Sequence, residues 1–273
     1  MKIYFSFLLI LISQIVQSQP KFEIISQKAN NTVDIFVSND EFSPITIQVN
    51  LSLENLKSSN SNLSAIVIPA RTKGFFITKL IKENESLGYH YSYKCISNFG
   101  DATIDKYDSN YVYELPFNSS NSIKVQQGYF GKYTHKNEKA LDFDLPEGTE
   151  VLAAREGIVI AITQHNKIYC PSEKCLDYNN YVNILHPDGT IANYSHLKQF
   201  SVNPKVGDFV LQGQPIAKSG RTGFTTGPHL HFTCYLPGLE KNKTIDTYFK
   251  IKDGLEISIL EENVFYSKKY STK

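Results

Sequence analysis

Short runs in which apolar and polar residues alternate, cut by polar turns, limit this chain's possible folds more than any other feature. Thr32-Val-Asp-Ile-Phe-Val37, Ile45-Thr-Ile-Gln-Val-Asn-Leu51 and His90-Tyr-Ser-Tyr-Lys-Cys-Ile96 carry the pattern early in the chain, with breaks such as Ser58-Ser-Asn-Ser-Asn62. Successive side chains of a strand point to opposite faces, so each run can bury one face and wet the other. Farther along, Glu150-Val-Leu-Ala-Ala154, Gly157-Ile-Val-Ile-Ala-Ile162, Tyr181-Val-Asn-Ile-Leu185 and His229-Leu-His-Phe-Thr-Cys-Tyr235 read as further strands, and segments with helical period are nearly absent. Seventeen phenylalanines and 17 tyrosines, no tryptophan and frequent Val, Ile and Thr favour the same class. A mostly β fold is expected.

At 273 residues the chain can hold two modest domains with separate cores. Residues 1–18, with one basic residue, an apolar run, and Val16 and Ser18 before the expected cut, read as a secretory signal peptide. Ser13 and Gln14 interrupt a run already short for a membrane anchor, so no stable span is expected after cleavage. Residues 19–118 are expected to form an N-terminal β-sandwich of immunoglobulin-like type. Leu115-Pro-Phe-Asn-Ser-Ser-Asn-Ser122 reads as a linker, residues 119–250 as a second β domain, and residues 251–273 as a tail whose lysine-rich end is solvated. A formal net charge of +1 gives no electrostatic case for nucleic acid or for an anionic membrane surface. Export permits disulfides: Cys170 and Cys175 could close a small loop, while pairing of Cys95 with Cys234 stays open.

The chemistry is concentrated in Ser219-Gly-Arg-Thr-Gly-Phe-Thr-Thr-Gly-Pro-His-Leu-His-Phe232, a glycine-rich turn that runs into a His-x-His pair. On a strand His229 and His231 share one face, with Leu230 and Phe232 turned into packing. One imidazole can then ligate a metal while the other stands beside the open coordination position. Two histidines on a solvated strand face are the alternative. Gly220, Gly223 and Gly227 set a turn rather than bind phosphate, since no helix follows.

The longer run Gly213-Gln-Pro-Ile-Ala-Lys-Ser-Gly-Arg-Thr-Gly-Phe-Thr-Thr-Gly-Pro-His-Leu-His-Phe232 closely resembles the signature of the lysostaphin/LytM-type zinc metallopeptidases. Two more blocks match in order: His135 followed by Ala140-Leu-Asp-Phe-Asp-Leu-Pro-Glu-Gly-Thr-Glu-Val-Leu-Ala-Ala-Arg-Glu-Gly-Ile-Val159, and Asn193-Tyr-Ser-His-Leu197. The resemblance implies an antiparallel β peptidase domain with Zn2+ held by His135, Asp142 and His231, and with His196 and His229 as catalytic residues. Asp142 matches the family aspartate because an aromatic residue follows it and Pro146 stands four positions on; Asp144 is its rival. The common family spacing His-x-x-x-Asp is here lengthened by Lys136-Asn-Glu-Lys-Ala-Leu141. Tyr133 and Tyr194 are candidate donors to a developing oxyanion. The activity implied is a zinc-dependent endopeptidase, exported to the periplasm or outside the cell, that cuts peptide cross-links of peptidoglycan. Its partners would be stem or cross-bridge peptides. The alternative is a non-catalytic peptidoglycan-binding or regulatory protein on the same fold.

Overall fold

The structure, a computed structural model, describes residues 19–268. The expected signal peptide lies outside the described residues. Among those residues helix is confined to two 3-10 turns, Glu173–Tyr178 and Lys252–Gly254, and no helix is long and apolar enough to cross a membrane. The mostly β expectation holds.

The first part of the chain forms two antiparallel sheets. One runs in the order Phe22–Lys28, Thr32–Asn39, Thr72–Lys82, Leu56–Ser58, and the other in the order Ile66–Ile68, Ile45–Glu54, His90–Phe99. Alternation does what the sequence requires: Val33, Ile35 and Val37 turn inward from the first sheet and meet Ile45, Ile47 and Val49 from the second in one core. His90 stands exposed at the start of its strand.

The rest of the chain is built on a nine-stranded antiparallel sheet. Its order is Phe209–Val210, Gly157–Thr163, Tyr181–Leu185, Ile191–Ser195, Leu230–Leu236, Ala140–Phe143, Ile123–Gln127 and Phe265–Tyr266, with Lys243–Thr244 beside Leu230–Leu236. One face carries Leu141, Phe143, Val182, Ile184, Ala192, Tyr194, Leu230 and Phe232 into a large apolar core. Residues one step along the same strands, Asp142, Asn183, Asn193, Ser195 and His231, are buried as well. Farther along these strands, Ile160, Tyr181, Ile191 and Tyr235 pack with Phe99 from the first part of the chain. Asn98 Nδ2 reinforces that contact by donating to Gly238 O at 2.7 Å and to Asn242 Oδ1 at 2.8 Å.

Two expectations do not hold. The stretch 115–122 is no free linker: Leu115 and Phe117 are fully buried in the large core, and Phe117–Asn118 pairs with Glu150–Leu152. Its proline and serines conceal two apolar anchors. Nor is the segment after residue 250 a detached tail, although residues 261–265 are exposed and residues 269–273 of the lysine-rich end lie outside the described residues. Leu260 and Ile251 enter the same core, Phe265–Tyr266 pairs with Ile123–Lys124, and Lys268 Nζ lies 2.6 Å from the buried Glu114 carboxylate. Cys170 and Cys175 are disulfide-bonded, whereas Cys95 and Cys234 are free thiols.

Candidate metal centre

Register places the site. Strand Ala140–Phe143 lies beside Leu230–Leu236 with Asp142 opposite His231, and Ser195 faces His231 from the other side. His135 comes from the turn before the Asp142 strand, where Glu138 N donates to His135 O and Phe130 N donates to Glu138 O. The lengthened spacing between His135 and Asp142 is taken up by that turn. Asp144 has left the strand and is exposed, so it is not brought to the site.

His135, Asp142 and His231 each offer one donor atom, all within 4.8 Å of one another, and all three residues are buried. His135 Nε2 is 3.3 Å from both His231 Nδ1 and Asp142 Oδ1, and His231 Nδ1 is 3.0 Å from Asp142 Oδ1. Three donors of a tetrahedral zinc site with bonds near 2.0–2.1 Å would stand about 3.3 Å apart. The triangle matches that size. His135 Nδ1–H donates to Gly128 O at 3.1 Å, which leaves the Nε2 lone pair facing the carboxylate. Lone pairs converge there, and either protons on the rings or a cation must lie among them. Two imidazoles and one carboxylate, with room for a fourth partner, are a donor set that suits a catalytic divalent metal.

The remaining acceptor of Asp142 is also held. Gln127 Nε2 donates to Asp142 Oδ2 at 3.0 Å and to Thr134 Oγ1 at 2.7 Å, while Gln127 Oε1 accepts from Tyr133 N and Thr134 N. Burial alone would raise the Asp142 carboxyl, but His135 and His231 outweigh it and hold the group well below the usual carboxylate range. Burial likewise works against a charged His135, and the Asp142 carboxylate reverses that to a net upward shift.

His229 and His196 stand at the mouth. His229 precedes its strand by one residue, fixed by His229 N donating to Gly220 O at 3.2 Å. Its Nδ1–H donates to Gly227 O at 3.0 Å, with Thr225 Oγ1 at 3.1 Å, which turns Nε2 toward Asp142 Oδ1 at 3.9 Å. His196 Nδ1–H donates to Thr222 O at 2.7 Å, and its ring centre is 4.5 Å from that of His229. Burial, helped by the neighbouring His229 and His231, pushes His196 down to about 3 and keeps it neutral. His196 and His229 thus both present Nε2 beside the triangle, where an imidazole can accept a proton.

Among the tyrosines, Tyr194 is not at the site. It is one strand step from Ser195 and so points the other way, into the core, where its hydroxyl accepts from Ala154 N at 2.8 Å. Tyr133 is 83% exposed and touches the site through its backbone N–H to Gln127. His186 closes a turn through Gly189 N to its carbonyl, and His165 is exposed, so neither joins the centre. The residues that sequence reasoning missed are Gln127, Asn179, Thr222 and Thr225. Thr222 and Thr225 lie within the quoted 213–232 run but carry no role of their own there, and nothing marks Gln127 or Asn179, because each acts through a hydrogen bond made after folding. Two of the three turn glycines are required as such: Gly223 has φ +87°, and a Cβ on Gly220 would lie 2.5 Å from Lys198 N, whereas Gly227 has open space around it.

Residues 136–246 match the model of a family described as Peptidase family M23. An uncharacterized metalloprotease of Buchnera aphidicola subsp. Baizongia pistaciae is 26% identical over 212 residues, which is 73% of this chain and 53% of that protein. Peptidoglycan DD-endopeptidase ShyC of Vibrio cholerae is 36% identical over 39% of this chain and 22% of its own length. Glycyl-glycine endopeptidase ALE-1 of Staphylococcus capitis is 30% identical over 56% of this chain and 41% of its own length. The chain thus spans about half the length of these relatives or less.

Proposed function

We propose that the protein is a zinc-dependent endopeptidase acting on the peptide cross-links of peptidoglycan, on the premise that residues 136–246, which match the model of Peptidase family M23, form its catalytic domain. The observation that carries this reading is the buried triangle of His135, Asp142 and His231 with two further imidazoles at its mouth. Its substrate class is supported by relatives named for peptidoglycan and glycyl-glycine endopeptidase activity. A substrate of that kind puts its work in the cell envelope. An N-terminal domain of immunoglobulin-like type followed by a peptidase domain is taken as the division, with the boundary before Tyr113 rather than at 118/119, because Tyr113, Leu115 and Phe117 belong to the large core together with Ile251 and Leu260.

In this reading His135 Nε2, Asp142 Oδ1 and His231 Nδ1 hold the zinc. When bound, the ion supplies Lewis acidity, polarising the scissile carbonyl and acidifying water. His229, its Nδ1 anchored on Gly227 O, takes the proton from the attacking water at Nε2 as the new C–O bond forms. His229 then returns the proton to the leaving nitrogen as the C–N bond breaks, leaving a carboxyl and a free amine. His196, kept neutral by burial, orders the same edge of the cleft and accepts a hydrogen bond from the incoming water. Gln127 orients the carboxylate, the kind of outer support that metal ligands need.

The deciding experiment is mass spectrometry of fragments released from purified peptidoglycan by the zinc-loaded protein, beside a chelated sample and a His229→Ala variant. New amino termini that vanish in both controls are expected. A protein that binds zinc yet releases nothing from any wall type would instead favour the non-catalytic reading.

A further inference from the structure

His196 is a non-glycine residue in the left-handed region, at φ +63°. Side chains adopt that conformation only where their surroundings over-determine it, and such residues gather where an enzyme must hold a group in one place. Most of what holds it comes from the segment that follows the Cys170–Cys175 disulfide. Asn179 caps the 3-10 turn Glu173–Tyr178, with Asn179 N donating to Leu176 O at 3.3 Å. Its Oδ1 accepts from His196 N at 2.9 Å, and its Nδ2 donates to Ser195 Oγ at 3.0 Å. One amide therefore grips both sides of the Ser195–His196 peptide.

That amide is itself fixed by a buried chain of polar groups. Ser195 Oγ donates to Asn193 Oδ1 at 2.6 Å, and Asn193 Nδ2 donates to Asn183 Oδ1 at 2.7 Å. Asn179, Ser195, Asn193 and Asn183 are all buried, and the direction is set at the His196 end, where a backbone N–H can only donate to Asn179 Oδ1. With Oδ1 turned to His196 N, the Asn179 amide presents Nδ2 to Ser195, which donates onward to Asn193. From the other side Asn180 Nδ2 donates to Leu197 O at 3.2 Å and Leu197 N donates to Asn180 O at 3.1 Å. The ring of His196 is then aimed by Thr222 O, whose residue accepts from Asn180 N through Oγ1 at 3.1 Å. The clamp's hydrogen bonds run to His196, Ser195 and Leu197 and to Asn183 beyond, whereas the triangle is tied to Gln127 and Gly128, although Ser195 is the strand neighbour of His231.

We propose that Asn179 is a positioning residue: its amide holds His196 in the left-handed conformation that keeps the Nδ1–H on Thr222 O and the free Nε2 toward the cleft. The proposal rests on His196 working in catalysis, as set out above. Loss of an outer group that orients a functional side chain commonly costs about 10–100-fold in activity.

The test compares wild type with Asn179→Ala and Asn179→Asp in the full chain, reading zinc content, kcat and KM on peptidoglycan, melting temperature, and histidine side-chain nitrogen NMR. Asn179→Ala should keep stoichiometric zinc and an unchanged KM, lose about 10–100-fold in kcat, and replace the single Nδ1–H tautomer of His196 with a mixture. Asn179→Asp keeps the acceptor for His196 N and should recover most of kcat and the single tautomer. An Asn179→Ala protein with wild-type kcat and an unchanged His196 signal would overturn the proposal. Loss of zinc and folded structure together, with no recovery in Asn179→Asp, would make Asn179 a structural residue and overturn it equally. If wild type cut no peptidoglycan, the functional reading would fall, while the His196 tautomer would still decide whether Asn179 holds that ring.

Discussion

The two halves of this chain use the same element for opposite ends. In the first, the pair of sheets buries Val33, Ile35, Val37, Ile45 and Ile47 between them, and apart from Thr78, whose hydroxyl meets Ser58 Oγ, the buried polar side chains that bond do so mainly to the backbone. Asn39 Nδ2 donates to Ser43 O and Ile68 O, and Thr46 Oγ1 donates to Gly100 O, each securing a loop. In the second half, the large sheet buries an apolar face and also a polar one, and there the buried side chains bond to one another: Asn183 to Asn193, Asn193 to Ser195, Gln127 to Asp142. Buried polar groups are costly unless paired, so a row of them directed at a common point marks chemistry rather than packing. The comparison separates a framework from a site within one all-β chain.

The sharpest way to break that distinction is to remove a member of the triangle. His231→Ala should abolish both stoichiometric zinc, read by elemental mass spectrometry, and peptidase activity. His229→Ala should keep zinc while losing about 10²–10⁴-fold in rate; if it lost metal as fully as His231→Ala, the division between ligand and proton carrier would be wrong. In the first half, Ile35→Ala removes a side chain only 2% exposed and should cost about 2–5 kcal/mol in urea unfolding of that half. Its kcat and zinc content should stay at wild-type values. A fall in kcat there would mean that the framework and the site are coupled through the Phe99 contact.

The smallest effect concerns pH. His186 is buried with Nδ1–H donating to Glu156 O at 2.7 Å, and burial pushes it down to about 4. The charged groups around it are Arg155, which disfavours protonation, and Asp188 and Glu156, which favour it; the Tyr113 ring packs edge-on at 6.1 Å. The unfolded chain takes up a proton near pH 6.5 that the folded chain refuses, so this contribution is present above pH 6.5 and fades as pH falls toward 4. The loss should reach at most about 3 kcal/mol by pH 4. A His186→Gln variant should show a shallower fall in urea midpoint between pH 7 and 4.5, and an identical slope would remove His186 from the account.

Much of the site was legible in advance for particular reasons. Alternation puts His229 and His231 on one face, and the blocks around His135, Asp142 and His196 name the other participants. Alternation also excludes Tyr194, since it stands one step from Ser195 and must point into the core, a consequence the oxyanion expectation overlooked. The stretch 115–122 misled because linker chemistry and two buried anchors, Leu115 and Phe117, share the same eight residues.

The sequence by itself determined the element type, the face each side chain would take, and the residue types able to hold a cation. Those depend on local period and local chemistry, which a strand cannot alter. Only the tertiary structure decided that Asp142 lies opposite His231, 89 positions away, and that the terminal segment returns to pair with Ile123–Lys124. It alone decided, too, that an amide from residue 179 holds His196 in a backbone conformation few side chains adopt. Register and loop closure are set by the summed burial of many residues at once, so no single stretch of the chain encodes them.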